Sequence, residues 1–348
     1  MDYNITRYGD QMPSVTISPW RTITASYTPI GTSILILLQC ILILCILFGN
    51  SLVVISFGRF RRIRAQKTNF FLASLALADI LFGLSSIFGI AEVHGHIFFR
   101  KKYACLVNIS IISFCIGLSV FDLLFIALDR LIAIGWPYRY PKIVRTKSIL
   151  TVKATVAFLL LVTSCLPLFG VNQWDRRTGC FPLYVMSEVQ VVSCAAILCV
   201  ASCVTLGIYV YIFLVAKAHF LRIVREDRIK HAGGHKPSVI RDLKAAKLLC
   251  IMAVIFLLCW GTGFCIMAVI ICNHGYNATL VILDSLGYTL ILLSSALNPL
   301  IYTYRNQDFR WAFRKLFKTR RSSTVSVANT SDIAISMTQS SSELMAVL

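Results

Sequence analysis

Seven long stretches, nearly free of charge, dominate this chain of 348 residues: 33–57, 68–91, 103–128, 154–174, 189–216, 248–272 and 285–304. Each is long enough to cross the hydrocarbon layer of a bilayer, about 30 Å thick, as a helix of about 20 residues. Lipid offers the backbone no water, so every N–H and C=O must bond within its own segment and such runs are helices. The expected fold is therefore all-α, a seven-transmembrane helix bundle. Hydrophobic residues make up 57% of the chain and charged residues 14%, too little polar content to coat a soluble globule of this size.

The formal charge of +19 would suggest a nucleic-acid binder in a soluble protein. Its distribution argues otherwise. With seven spans and the N-terminus outside, the segments 59–67, 130–153, 217–247 and 305–321 all fall on the cytoplasmic side, and together they hold 27 of the 34 Lys and Arg. The basic excess therefore sets orientation, N-terminus extracellular and C-terminus cytoplasmic, and no nucleic-acid partner is expected. The chain shows no internal repeat, and an odd number of spans with unlike loops argues against the duplicated halves of many secondary transporters.

Four regions are expected: an extracellular N-terminus (1–32), the bundle (33–304), an amphipathic helix on the inner membrane surface (305–321) and a disordered, Ser/Thr-rich cytoplasmic tail (322–348). Sequons at Asn4 and Asn277 lie on the outer side, with Asn4 the expected glycosylation site and Asn277 a second candidate close to the membrane. Eleven of the 13 cysteines lie in spans, setting apart Cys105, at the outer end of span three, and Cys180, in the loop after span four. The other two, Cys105 and Cys180, face the oxidising side, where a disulfide between them would tie the loop after span four over the bundle mouth.

Ionisable groups inside a bundle cost about 2.5–3.5 kcal/mol for Asp at a helix centre on insertion scales, so each is a functional hypothesis. Asp79 sits in the middle of the second span, and Asn50, Ser119, Ser294, Ser295 and Asn298 fall at matching depths. A carboxylate among hydroxyls and amides suits a small hard cation, sodium above all; the alternative is a protonated Asp79 satisfied by its neighbours. At the cytoplasmic end of span three stand Asp129 and Arg130, with Asp242 at the start of span six on the same side. Arg130 can pair with either acid, and a pair that must break when span six moves would hold a closed state. A snorkelling arginine at a helix end is the alternative.

The chain resembles the rhodopsin-like (class A) G-protein-coupled receptors across residues 33–317. The resemblance rests on "GN" at 49–50, "LALAD" at 75–79, Cys105, "DRL" at 129–131, "CW" at 259–260 and "NPLIY" at 298–302, in the right order and at the right depths. Within that class, "NFFLASLALADI", "DLKAAKLL" and "YTYRNQDFRWAFRKLF" look most similar to the adenosine receptors and the neighbouring cannabinoid and fatty-ethanolamide group. The resemblance implies a receptor for a small extracellular ligand that activates heterotrimeric G proteins at the plasma membrane, not an enzyme and with no required cofactor. It implies that Tyr209 and Tyr302 meet Arg130 in the active state, that Trp260 and Phe256 form a toggle under the ligand, and that Tyr138 contacts the G protein. Receptor kinases and arrestin are the implied partners of the Ser/Thr-rich tail.

Departures from the family pattern matter too. Span six carries Thr262 between Gly261 and Gly263 where a proline is usual, Ala201 replaces a proline in span five, Ala157 replaces a tryptophan in span four, and Leu131 replaces the usual tyrosine. A softer hinge and a looser latch predict high basal signalling. Asp122 is unusual as well, and is expected to face Ser74 and the space of the missing tryptophan, protonated or bridged by water.

Carried over by depth, the pocket wall comprises Asn108, Ile112, Ser113, Ile116, Ser193, Trp260, Phe264, Met267, Ile270, Asp284, Tyr288, Ile291 and Leu292. Ile112 stands where amine receptors carry an aspartate, which argues against a biogenic amine. Leu292 stands where light sensors carry lysine, and span seven contains no Lys, which excludes an opsin. Adenosine receptors carry Asn at Met267 and His at Leu292, so a purine would lose directional hydrogen bonds. The mostly apolar wall, with Glu92, His94 and Asp284 near the mouth, favours an amphipathic lipid or small amide, with Glu92, His94 and Asp284 as a solvated rim the alternative. A nucleoside is the runner-up ligand, and a transporter or ion-conducting protein the competing class.

Overall fold

A computed structural model describes residues 29–95, 101–136, 138–174, 180, 182–230, 254–263, 265, 266, 268–270, 272 and 278–317. The described residues are helices and their connections, with no strand among them. Span one is Pro29–Arg59, span two Thr68–Gly95, span three Lys102–Gly135, span four Thr146–Cys165 and span five Glu188–Lys230. These five, trimmed at their polar ends, are long and apolar enough to cross a membrane. Residues 254–272 hold span six, described in part, and Ala278–Arg305 is span seven. Most agree with the apolar runs that predict them and continue at the ends into interfacial residues, whereas span four stops at Cys165, nine residues short of its run, and passes through the 3-10 turn Leu166–Phe169 to Gly170.

The outer faces carry what a membrane requires. Leu37, Leu44, Phe48, Phe158, Leu159, Val200 and Leu214 are exposed, which water would penalise and lipid does not. Inward, the bundle closes on Val53, Leu75, Val120, Ile126, Phe256 and Trp260. Span three runs through the middle, packed against spans two, four and five.

Two glycines set helix spacing. A Cβ on Gly49 would meet Pro299 Cγ at 2.9 Å, so the glycine of "GN" lets span one close on the proline of "NPLIY". A Cβ on Gly117 would meet Leu160 Cδ2 at 2.7 Å, which brings span four against span three.

Span four departs from the expectation at its start. It begins at Thr146, eight residues before the apolar run, so Lys153 lies two turns inside the helix instead of in the cytoplasmic connection. Its buried face recurs at Ile149, Lys153, Ala157, Leu160 and Ser164, a spacing of three and four residues that turns the lysine toward the bundle.

Residues 307–317 form a further helix packed against the connection between spans one and two. Phe309 and Ala312 are fully buried in the bundle core, and Asp308 accepts from Arg62 Nε and from Gln66 Nε2, both at 2.6 Å. Trp311 packs edge-on against Phe60, with ring centroids 5.1 Å apart, while Phe317 is exposed. The apolar residues of this helix thus divide between the protein and its surroundings.

Candidate functional site

At the outer mouth, Cys105 and Cys180 form the expected disulfide, with Cα atoms 5.6 Å apart. The loop it ties down buries Val185 and Met186 against Leu106 and Ile109, and Gln173 N donates to Val185 O at 2.8 Å. The described residues of this loop pack on the outer end of span three.

Beneath it, Ile112, Tyr288 and Ile291 pack around buried Cys115 and Leu292, with Phe82 alongside. Ile116 and Ile291 also touch the cluster holding Trp260 and Phe256, whose rings lie 5.7 Å apart. The expected wall therefore meets the expected toggle through these two isoleucines. Ser113 and Asp284 are half-buried, and Ile270 packs with Ile266 and Leu280. Phe264 and Met267 lie outside the described residues, as do the side chains of Glu92 and His94.

One wall residue is misplaced by depth alone. Ser193 is exposed and shares the outer face of span five with Ile197, Val200 and Val204, while Val191, Leu198, Ala201 and Thr205 turn inward. Depth fixes height along a helix but not rotation about it, and 100° per residue separates the two.

Neutral polar residues that depth did not single out bond to the expected wall residues or beside them. Ser85 Oγ donates to Asn108 Oδ1 at 2.5 Å, and the Tyr288 hydroxyl donates to Ser86 Oγ at 2.7 Å. Gln39 Nε2 donates to Thr289 Oγ1 at 3.1 Å, joining spans one and seven. The signal was present in "GLSSIF": two hydroxyls in a span otherwise apolar at that depth.

Asp79 is fully buried, and Asn298 Nδ2 donates to its Oδ2 at 2.8 Å. Ser119 and Ser295 stand beside the same carboxyl group. Ser294, also buried, gives its hydroxyl proton to Ile291 O and keeps its oxygen lone pairs. Asn50 donates to Ile46 O, and Asn50 Oδ1 and Asp79 Oδ1 are buried acceptors without a donor. Two orphaned oxygens among further oxygen donors fit a hard cation, which needs acceptors and no protons. A neighbouring cavity, lined by Leu123, Tyr209, Phe256, Ser294 and Asn298, has room for a water. It links the Asp79 region to the toggle above and to Tyr209 below.

At the cytoplasmic end, Arg130 pairs with its neighbour Asp129, Nη2 to Oδ2 at 2.5 Å. Arg130 Nη2 also donates to Thr68 Oγ1, and Thr68 in turn donates to Asp129 Oδ2 at 2.6 Å. Tyr140, in the short helix Tyr140–Ile143, donates to Asp129 Oδ1 at 2.8 Å. Burial, and then this bond to Asp129, push the Tyr140 phenol up to about 12. Thr68 and Tyr140 were not singled out beforehand; one is the first residue of span two, the other the last aromatic of "PYRY". Tyr209 is buried with Ala127 and Ile212, beside Leu131, the residue that follows Arg130. Tyr138 is almost fully exposed, as a contact surface requires. Asp242, Asn4, Asn277 and the side chain of Tyr302 lie outside the described residues.

Asp122 differs from the expectation of a protonated or water-bridged acid. It is ion-paired with Lys153, whose ammonium also donates to Ser74 Oγ. The lysine, one helical turn toward the cytoplasm from Ala157, supplies the partner that the apolar reading of span four lacks.

The family described as "7 transmembrane receptor (rhodopsin family)" matches residues 49–302. Cannabinoid receptor 1 of Xenopus laevis is 31% identical over 313 residues, which cover 83% of this chain and 64% of that receptor. Histamine H2 receptor of Cavia porcellus is 29% identical, covering 81% and 79%, and Adenosine receptor A2b of Homo sapiens is 30% identical, covering 77% and 85%. With the seven-helix architecture, the disulfide at the mouth and the Asp129–Arg130 pair at the base, the chain belongs to the rhodopsin family of seven-transmembrane G-protein-coupled receptors.

Proposed function

We propose that this receptor sits in the plasma membrane with its N-terminus outside, binds an amphipathic lipid or small amide, and activates a heterotrimeric G protein. The observation that carries the ligand reading is the wall itself: Ile112, Ile116, Ile291 and Leu292 make it apolar, while Asn108, Ser85, Ser86 and Tyr288 supply neutral hydrogen-bonding groups. Ile112 leaves an ammonium without a carboxylate at that position, so the histamine named for one relative is a poor fit. A nucleoside, the ligand class named for another, is the second reading, supported by identity at 30% over 77% of the chain.

On ligand binding, Trp260 and Phe256 repack and span six moves from span three, releasing Arg130 to the G protein beside Tyr138. Asp79 holds sodium in the resting state, with Asn50, Ser119, Ser294 and Asn298 around it. Kinases and arrestin act on the Ser/Thr-rich tail.

The test is nucleotide exchange on purified G proteins by the receptor in nanodiscs, with N-acyl ethanolamides, lysolipids and nucleosides as probes. Exchange stimulated by an acyl amide or lysolipid supports the reading. Stimulation by adenosine alone replaces it with the second, and ion flux without exchange on any G protein overturns both.

A further inference from the structure

The pair between Lys153 and Asp122 lies deep in the bundle and outside the ligand site and the latch. Asp122 is almost fully buried, and the Lys153 side chain is 16% exposed. The ammonium meets three groups on two helices: the Asp122 carboxylate of span three, and the Ser74 hydroxyl and Phe71 ring of span two, the ring centroid 5.8 Å away. Buried pairs are seldom the best way to gain stability, since apolar residues of the same volume often do as well; their best-attested use is to specify register.

Two further observations point to register. Asp122 and Asp129 are seven residues apart, so they occupy the same face of span three about 10 Å from each other. On span two Ser74 and Thr68 are six residues apart, about 9 Å along the helix axis, one at each of these heights, and Thr68 bonds the Asp129–Arg130 pair. The result is two stacked polar layers between spans two and three, the upper closed by Lys153 and the lower by Tyr140. Above them, Leu160 seats in the notch at Gly117, giving span four a second fixed point on span three.

We infer that Lys153 is a positioning residue: by bridging Asp122 and Ser74 it fixes the rotation and height of span four against spans two and three, and thereby holds the Asp129–Arg130 face of span three in its signalling register. The charges also make assembly selective, because span three or span four alone would carry an unpaired charge in lipid.

The test compares full-length receptors carrying Lys153→Met, Lys153→Arg, and the double change Asp122→Asn with Lys153→Met. Surface density in cells and ligand-independent nucleotide exchange per surface copy are measured for each. Lys153→Met strands the Asp122 charge and is expected to lower surface density tenfold or more, while Lys153→Arg keeps at least half. The double variant removes both charges and is expected to regain at least half of native density, yet its exchange per copy differs threefold or more from native. Native density for Lys153→Met, or a double variant as depleted as the single one, overturns the pairing. Exchange per copy within threefold of native overturns the positioning role and leaves the pair a packing feature. If the native receptor drives no exchange, the functional reading fails separately; register is then read from disulfide trapping between Gly117→Cys and Leu160→Cys. Unchanged trapping in the double variant overturns the inference, and a threefold loss supports it.

Discussion

Tyr140 donates its hydroxyl to Asp129 Oδ1 at 2.8 Å, while Arg130 and Thr68 hold the other oxygen of the same carboxylate. The acid is therefore fixed from the second intracellular connection, from span two and from its own neighbour at once. Removing any one of these leaves a mostly buried charge with a hydrogen bond missing, which is costlier than losing an exposed pair.

Tyr140→Phe removes one bond to a charged acceptor, worth about 1.5–3 kcal/mol. Ligand-independent nucleotide exchange is expected to rise, on the order of tenfold if most of that energy favours the resting state. The Tyr140 phenol is raised from 10.0 to about 12, first by burial and then by Asp129. A raised value means that its contribution is fully present below the ordinary value and is lost as pH rises through about 12. Basal exchange should thus show no Tyr140-dependent change between pH 6 and pH 9; a rise in that window that Tyr140→Phe abolishes would contradict the bond.

If sodium occupies the Asp79 site, replacing choline chloride by sodium chloride should raise the receptor's thermal midpoint by roughly 2–4 °C for each kcal/mol of binding free energy. Asp79→Asn should abolish that difference. An equal shift in native and variant receptors would place the salt effect elsewhere.

Gly49→Val puts a branched side chain where Pro299 Cγ already stands 2.9 Å from the first added carbon. Overpacking of this kind costs about 1–3 kcal/mol. A lower thermal midpoint in detergent checks it, with Gly58→Val, whose added Cβ meets nothing within 4 Å, as the control.

Phe309→Ala empties a fully buried site and should cost about 3–5 kcal/mol, whereas Phe317→Ala removes a ring that is 58% exposed in the protein. Unfolding midpoints in detergent, where the membrane contributes least, should separate the two; equal losses would refute the division of this helix between core and surroundings.

Much of the fold was legible beforehand because lipid leaves the backbone few choices. Among the described residues six of the seven apolar runs hold continuous helices and the sixth run is helical where it is described, the two outer cysteines meet, and Asp79, Asn298 and Ser119 converge because their depths agree. The legible part of the site ends where rotation matters: Ser193 has the right height and the wrong face. Thr68 and Tyr140 escaped notice because a lone hydroxyl gives no sign of its partner until another helix is docked, and the adjacent hydroxyls of Ser85 and Ser86 mark a polar depth without naming Asn108 and Tyr288.

The amino-acid sequence by itself determined the number of spans and the family, since these follow from hydropathy and from motifs spaced along single segments. Only the tertiary structure decided that Lys153 points inward. At the edge of an apolar run a lysine reads as cytoplasmic; two extra helical turns and the rotation of span four bring it instead to Asp122, because an intramembrane charge is tolerable only where packing supplies its opposite.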